Sequence, residues 1–262
     1  MKCGEIYSKL TKSLLEKVLG VKLNTFSYII VRIYFKLFGY PDLAEHIKYK
    51  ALSNIINLSS AVDLLYIESG NGIYINQYSY YYHCKAIGLE ENKDKGKISS
   101  LIAKEPNLQT KFMKTNLRNV QMQKKFDRII SMEKVEYLLS NNKLFQKLIK
   151  TLKPGGILIM FLPRYPSLRS NNIRKESRNL PREYTVNVLI GIAHEYELKL
   201  ILVKPCFLFF MKFALRTQQW IFKNVHPFYN LISYPFLLVL AGFDDIIPIY
   251  SSAKEIVVVF EK

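Results

Sequence analysis

The segment 61–83, AVDLLYIESGNGIYINQYSYYYH, holds the pattern on which the reading of the chain turns. Its first seven residues form a short apolar run rich in strand formers. The turn that follows, Glu68-Ser69-Gly70-Asn71-Gly72, carries two glycines in alternate places, and the run from Ile73 onward reads as a helix. In such a strand–turn–helix unit, glycines let the backbone approach a ligand closely. The helix N-terminus beyond them favours a carboxylate or phosphate. A lone GxG pair has a plain alternative, because it also serves in ordinary turns between a strand and a helix.

Working outward, short β-rich runs alternate with helical stretches. KAIGLE (85–90), LQTKFMKT (108–115), FDRIIS (126–131), ILIMFL (157–162), LKLILVK (198–204) and EIVVVFE (255–261) read as strands. Helices are expected over 93–104, over Glu133–Leu152, ended by Pro154-Gly155-Gly156, and over EYTVNVLIGIAHEY. This alternation predicts an α/β fold: a mostly parallel, doubly wound sheet covered on both faces. Residues 1–60 read as helical, with Ile6, Leu10, Leu14 and Val18 at helical spacing and Gly20 where a C-terminal cap belongs. We therefore expect an N-terminal helical segment, 1–60, and an α/β domain, 61–262, interrupted before the last strand by an apolar insertion, 205–254. Prolines 205, 227, 235 and 248 are expected to cut that insertion into short helices.

Composition narrows the function. With 49% hydrophobic residues in 262, the chain can bury a full core and is not a disordered tail. Cys3, Cys84 and Cys206 are scattered and form no CxxC pair, which argues against a disulfide framework or structural zinc and suits a reducing, cytoplasmic setting. His46, His83 and His226 lack ligand spacing, so no metal site is expected. The N-terminus is broken by charges every few residues and does not read as a signal peptide. No uncharged apolar run reaches the ~18–20 residues needed to span a bilayer. The net charge of +17 favours anionic partners. The tyrosines of 78–82 lack the interleaved basic residues of a nucleic-acid stacking platform, which disfavours nucleic acid. Lys212, Arg216 and Lys223 among the aromatics of the insertion resemble a segment that lies on an anionic membrane surface; a lid or a homodimer face is the alternative.

Ligands of open α/β sheets bind beyond the carboxyl ends of the strands. Glu90 lies 18 residues past Gly72, close to the spacing at which an acid binds a ribose diol; otherwise it is a solvated strand end beside Glu91. The order of the GxG turn, Gly-Leu-Glu90, FDRIISMEKVEYL (126–138) and LKPGGILIM (152–160) resembles the class I S-adenosylmethionine-dependent methyltransferases, nearest the type 11, ubiquinone-biosynthesis-like branch. The resemblance covers about 61–204, and 255–261 fits that family's antiparallel last strand. It implies a Rossmann-like sheet of seven strands, S-adenosylmethionine as cofactor and a hydrophobic small-molecule, lipid-like or glycosylated acceptor. It also implies that Gly70 and Gly72, with Glu68 in the same turn, lie against the methionine part of the cofactor and that Glu90 binds the ribose. Thr115 or Asn116 would lie near the adenine, and Ser131 and Met132 would line the cofactor. For the acceptor, Glu133, Tyr165 and His194 are candidate bases. Arg164, Arg169, Arg174, Arg178 and Arg182 could hold an anionic group. Glu133 alternatively caps a helix, Tyr165, beside two prolines, alternatively only shapes its loop, His194 is alternatively a packed or surface side chain, and the arginine loop is alternatively a solvated face.

The chain departs from the family in three places. Tyr66 and Glu68 stand where an acid and a glycine are usual, Thr115 or Asn116 replaces an aspartate, and Tyr137 replaces a histidine. A catalytically inactive, methyltransferase-like protein used for binding or assembly is therefore the competing reading.

Overall fold

The structure is a computed structural model, and it describes residues 4–105, 107–115, 124–133, 135–165, 181, 183–225 and 228–262. In chain order the elements are α1 (Lys12–Leu19), α2 (Thr25–Phe38), α3 (Leu43–Ser53), β1 (Asp63–Ile67), α4 (Ile73–Tyr82), β2 (Lys85–Glu90), α5 (Lys93–Ile102), β3 (Thr110–Lys114) and β4 (Phe126–Ser131). There follow α6 (Val135–Ser140), α7 (Asn142–Lys150), β5 (Leu152–Pro163), α8 (Val186–Glu195), β6 (Lys199–Cys206), α9 (Phe209–Asn224), α10 (Phe228–Gly242) and β7 (Glu255–Glu261). The chain divides into two compact units. One is Met1–Asn57 with Cys206–Ala253, and the other is Leu58–Pro205 with Lys254–Lys262.

The second unit is a seven-stranded sheet in the order β3-β2-β1-β4-β5-β7-β6. The first five strands run parallel, and β7 is antiparallel to β5. The alternation of strands and helices thus gives the doubly wound sheet it predicts, with the antiparallel last strand that the resemblance implies. The core lies where Leu65, Ile129, Leu158 and Val258 meet Leu138, Phe145 and Leu189 from α6, α7 and α8. The single helix expected over 133–152 is two. Asn141 leaves helical geometry, and its Oδ1 accepts the Leu144 N–H at 3.0 Å, so it starts α7 as an N-cap. The tyrosines after the glycine turn serve packing: Tyr74 stacks on Tyr66 and on Tyr78, and all three are buried.

The sequence runs that carry the family resemblance act at the amino ends of the strands. Asp127 Oδ2 accepts the Asp63 N–H at 2.8 Å and an N–H of Lys153 Nζ at 2.8 Å; Lys153 also reaches Asp63 at 3.3 Å, and Lys124 reaches Asp63 at 2.5 Å. Burial alone would raise both carboxyls, but the lysines outweigh it and hold Asp63 and Asp127 below the usual carboxylate range. The Lys-Pro-Gly-Gly run is a bulge in β5, where pairing with β4 jumps from Phe126–Leu152 to Arg128–Ile157. Gly155 turns there with φ 69° and donates to the Lys262 carbonyl at 2.7 Å.

In the helical unit, Thr11, Asn24 and Asp42 cap α1, α2 and α3, and Gly20 ends α1 in the left-handed region. The insertion folds here as two long helices, α9 and α10, with Pro235 inside α10. A proline within a helix deprives the carbonyl four residues earlier of its donor. That carbonyl, on Leu231, accepts the Tyr34 hydroxyl at 2.8 Å, which is why Pro235 does not break the helix as the sequence led us to expect. Gln218 and Asn230, both buried, tie the same helices to the turn before α3. Gln218 Oε1 accepts the Leu43 N–H, and both side-chain amides donate to the Pro41 carbonyl.

Candidate functional site

The site is built at the carboxyl ends of β1 to β4. The registers Ile67–Leu89, Leu89–Met113 and Ile67–Ser131 set these ends side by side, so Glu68, Glu90, Lys114 and Met132 leave the sheet at one level. The turn after β1 takes a left-handed conformation three times, at Glu68 (φ 55°), Gly70 (φ 58°) and Gly72 (φ 74°). Glu68 therefore adopts a left-handed conformation that glycine takes freely, at a strain of about 1–3 kcal/mol. Its neighbour Tyr66, in the place of the usual acid, is buried against Tyr74.

The two glycines differ in what they face. A Cβ on Gly70 would meet nothing within 4 Å, so its face is open. A Cβ on Gly72 would lie 2.8 Å from Asn76 Nδ2 and 2.9 Å from both the Phe112 ring and Ser99 Cβ. Gly88, paired with Phe112 across β2 and β3, would bring a Cβ 2.7 Å from the same ring. Gly72 and Gly88 thus make room for Phe112, while Gly70 leaves space for a ligand.

Glu90 is only 4% exposed, and its carboxylate is already engaged. Oε2 accepts the Gly70 N–H at 2.7 Å and Oε1 accepts the Asn92 N–H at 2.8 Å. Ser99 Oγ donates to the Gly70 carbonyl at 2.8 Å. These bonds lock the turn to the end of β2 and the start of α5. Each carboxylate oxygen has a second lone-pair site, so Glu90 can also accept from a diol. A cleft of about 510 Å³ opens beside it between α5 and β3, with Glu90, Asn92, Met113 and Lys114 in its wall.

The other predicted residues fall into three groups. Thr115 directly follows β3, and Ser131, Met132 and Glu133 follow one another at the end of β4. Ser131 is fully buried and its Oγ reaches the Glu133 carbonyl at 3.4 Å; Met132 is buried and Glu133 is exposed. Tyr165 follows β5, exposed, with the Arg164 guanidinium 5.6 Å from its ring centre. Arg164 is itself committed to Glu183, Nε to Oε1 at 2.8 Å. His194 is not brought to this edge. It is exposed in the last turn of α8, which leads from the carboxyl end of β5 back to the start of β6. Asn116, Arg169, Arg174, Arg178 and Arg182 lie outside the described residues.

Sequence reasoning missed Phe112, Ser99 and the Asn92 amide. None has a motif, and each acts through a partner distant in sequence or through its backbone. The nearest signal was Gly88, a glycine inside a strand, which marks close approach by a neighbour.

Residues 65–160 match the family model described as a methyltransferase domain, which spans the turn, Glu90 and the end of β4. A search of curated proteins found no match. Among solved structures the chain is similar to the geranyl diphosphate C-methyltransferase of Streptomyces coelicolor A3(2), at 12% identity and TM-score 0.57, covering 82% of this chain and 78% of that one. It is similar to an S-adenosylmethionine-dependent methyltransferase of Geobacter sulfurreducens in complex with S-adenosyl-L-homocysteine, at 12% identity and TM-score 0.54, covering 88% and 96%. It is also similar to the [4+2]-cyclase SpnF, at 14% identity and TM-score 0.53, covering 99% and 94%. The fold is that of the class I S-adenosylmethionine-dependent methyltransferases.

Proposed function

We propose that this chain, with its methyltransferase domain at residues 65–160, is an S-adenosylmethionine-dependent methyltransferase acting on a hydrophobic small molecule or a lipid-like or glycosylated acceptor. The observation that carries the reading is the open face of Gly70, held by a buried Glu90 whose oxygens have accepting capacity left. Gly70 would lie against the methionine part of the cofactor, Glu90 would accept from its ribose hydroxyls, and Thr115, Ser131 and Met132 would border it. When bound, the sulfonium supplies an electrophilic methyl group. The protein's own work is then to orient the acceptor and keep it in line, which supplies much of the rate. Glu133 and Tyr165, exposed at the carboxyl ends of β4 and β5, are the groups we assign to the acceptor. A carboxylate there can take the proton of a hydroxyl as it is methylated. That favours oxygen as the methylated atom, ahead of carbon or nitrogen.

A second reading, a non-catalytic relative used for binding or assembly, draws on two observations. Glu68 stands in a glycine position, and the far side of Gly72 is filled by Phe112, Ser99 and Asn76. Calorimetric titration with S-adenosylhomocysteine separates the two. Methyl transfer requires saturable binding that Glu90→Ala weakens by at least ~10-fold, the worth of about one charge-assisted hydrogen bond. No heat of binding with the folded wild-type protein would assign the second reading.

A further inference from the structure

The helical unit contains a cavity of about 710 Å³, within the roughly 300–1,000 Å³ that ligand pockets occupy. Its walls come from the segment after α1 and from α2, α9 and α10, and include Val21, Ile30, Val31, Phe222 and Ile232. Several of the polar groups along it are already engaged, while the Tyr40 hydroxyl and the second Asp42 oxygen belong to the wall at the Tyr40–Asp42 turn. The Tyr34 hydroxyl is spent on Leu231, the Asn230 amide on Pro41, and Asp42 on the N–H of Glu45. Away from that turn the wall is hydrocarbon, from residues such as Val21, Leu23, Ile30, Val31, Phe222 and Ile232, so what the cavity chiefly offers a ligand is apolar surface suited to a hydrocarbon chain.

The mouth continues into exposed apolar stripes. Val21, Ile30, Phe222 and Ile232 wall the cavity and are each about half exposed. On α2, Phe26, Ile29, Ile30, Ile33 and Leu37 recur at helical spacing, all exposed. On α10, Tyr229, Ile232, Phe236 and Val239 do the same, and Phe236 is 73% exposed; on α9, Phe213 and Trp220 are exposed. Exposed apolar stripes on three helices mark an interaction site rather than ordinary scattered surface residues. These three helices carry five basic residues, Arg32, Lys36, Lys212, Arg216 and Lys223, and no acid. Among the described residues no helix is long and apolar enough to cross a membrane. Helices that are aromatic and apolar on one side and purely basic in charge lie in the interface of an anionic bilayer. A second copy of this chain would present the same positive face, so charge opposes self-pairing here.

We infer that the helical unit seats on an anionic lipid bilayer through these stripes and takes one lipid hydrocarbon chain into the cavity. The inference stands apart from the methyl-transfer reading, because all of its residues belong to the helical unit.

The test uses the whole protein and two probes. Sedimentation is measured with vesicles of phosphatidylcholine alone and mixed with phosphatidylglycerol. We expect binding to the mixed vesicles that salt weakens and that the exposed-residue variant Trp220→Ser/Phe236→Ser lowers by at least ~10-fold. The cavity is read by the fluorescence of cis-parinaric acid. Val31→Phe, or Ile30→Trp at the mouth should Val31→Phe not fold, is expected to abolish that signal while vesicle binding persists. Absence of binding to the anionic vesicles, or equal binding to both kinds, overturns the docking. A dimer in sedimentation velocity that Trp220→Ser/Phe236→Ser dissociates, without vesicle binding, overturns it in favour of a second copy. Failure of the wild-type protein to bind parinaric acid overturns the chain site.

Discussion

Two glycines two residues apart do different work, and substitution separates them. At Gly70 an added methyl group enters open space, and only the left-handed φ of 58° resists it. Gly70→Ala is expected to cost about 1 kcal/mol of stability and to fold, while losing S-adenosylhomocysteine affinity because the methyl occupies the ligand's volume. At Gly72 the methyl meets Phe112, Ser99 and Asn76, so Gly72→Ala is expected to cost about 2 kcal/mol or more through overpacking. Thermal melts and calorimetry on the two variants check this. Equal destabilisation would refute the distinction, and Phe112→Leu should recover part of the Gly72→Ala loss. The GxG spacing was legible in the chain, but the direction each glycine faces was not, since Phe112 reaches them only through strand pairing. Glu68 shows the converse. Its side chain reads as a break in the motif, yet its backbone takes a φ of 55° that glycine adopts freely.

At the scale of elements, most boundaries follow from local signals: caps at Thr11, Asn24, Asp42 and Thr185, and glycine at the end of α1. The exceptions have identifiable causes. Asn141 divides the helix expected over 133–152 because its side chain caps the second half. Pro235 is tolerated because the carbonyl it frees, on Leu231, is satisfied by Tyr34, 197 residues from Leu231 in sequence. Tyr34→Phe is therefore expected to destabilise the helical unit by about 1 kcal/mol. Pro235→Ala restores an N–H partner to Leu231, so in that background Tyr34→Phe should be nearly neutral. Denaturant unfolding of the four-member cycle measures the coupling, and strictly additive effects would refute the link.

Across the whole molecule, the amino ends of β1, β4 and β5 are joined by charge. Asp63 and Asp127 are held below their ordinary values by Lys124 and Lys153, and Lys153 is raised above its own, chiefly by its bond to Asp127. The lowered carboxyls add stability above their unfolded value, near pH 4, and that stability is lost as pH falls through the lower folded values. Lys153→Gln is therefore expected to reduce stability at pH 7 by no more than ~1 kcal/mol, because the Lys153 side chain is 37% exposed. The difference should persist down to about pH 4 and vanish below it. The raised lysine makes it shrink again once pH exceeds about 10.4. Urea titrations across pH would count against the linkage if the gap widened in acid.

The sequence by itself determined the doubly wound α/β class, the order of the elements, the turn after β1 and the place of Glu90 at a strand end. Those features rest on hydrophobic period and on glycine and capping preferences, which act within a few residues along the chain. Tertiary structure alone decided which glycine faces open space, that Glu90 grips the turn, that His194 lies away from the strand ends and that the insertion shares a unit with the N-terminal helices. Each of these depends on pairings between residues tens to nearly two hundred positions apart, and local propensity carries no record of such a partner.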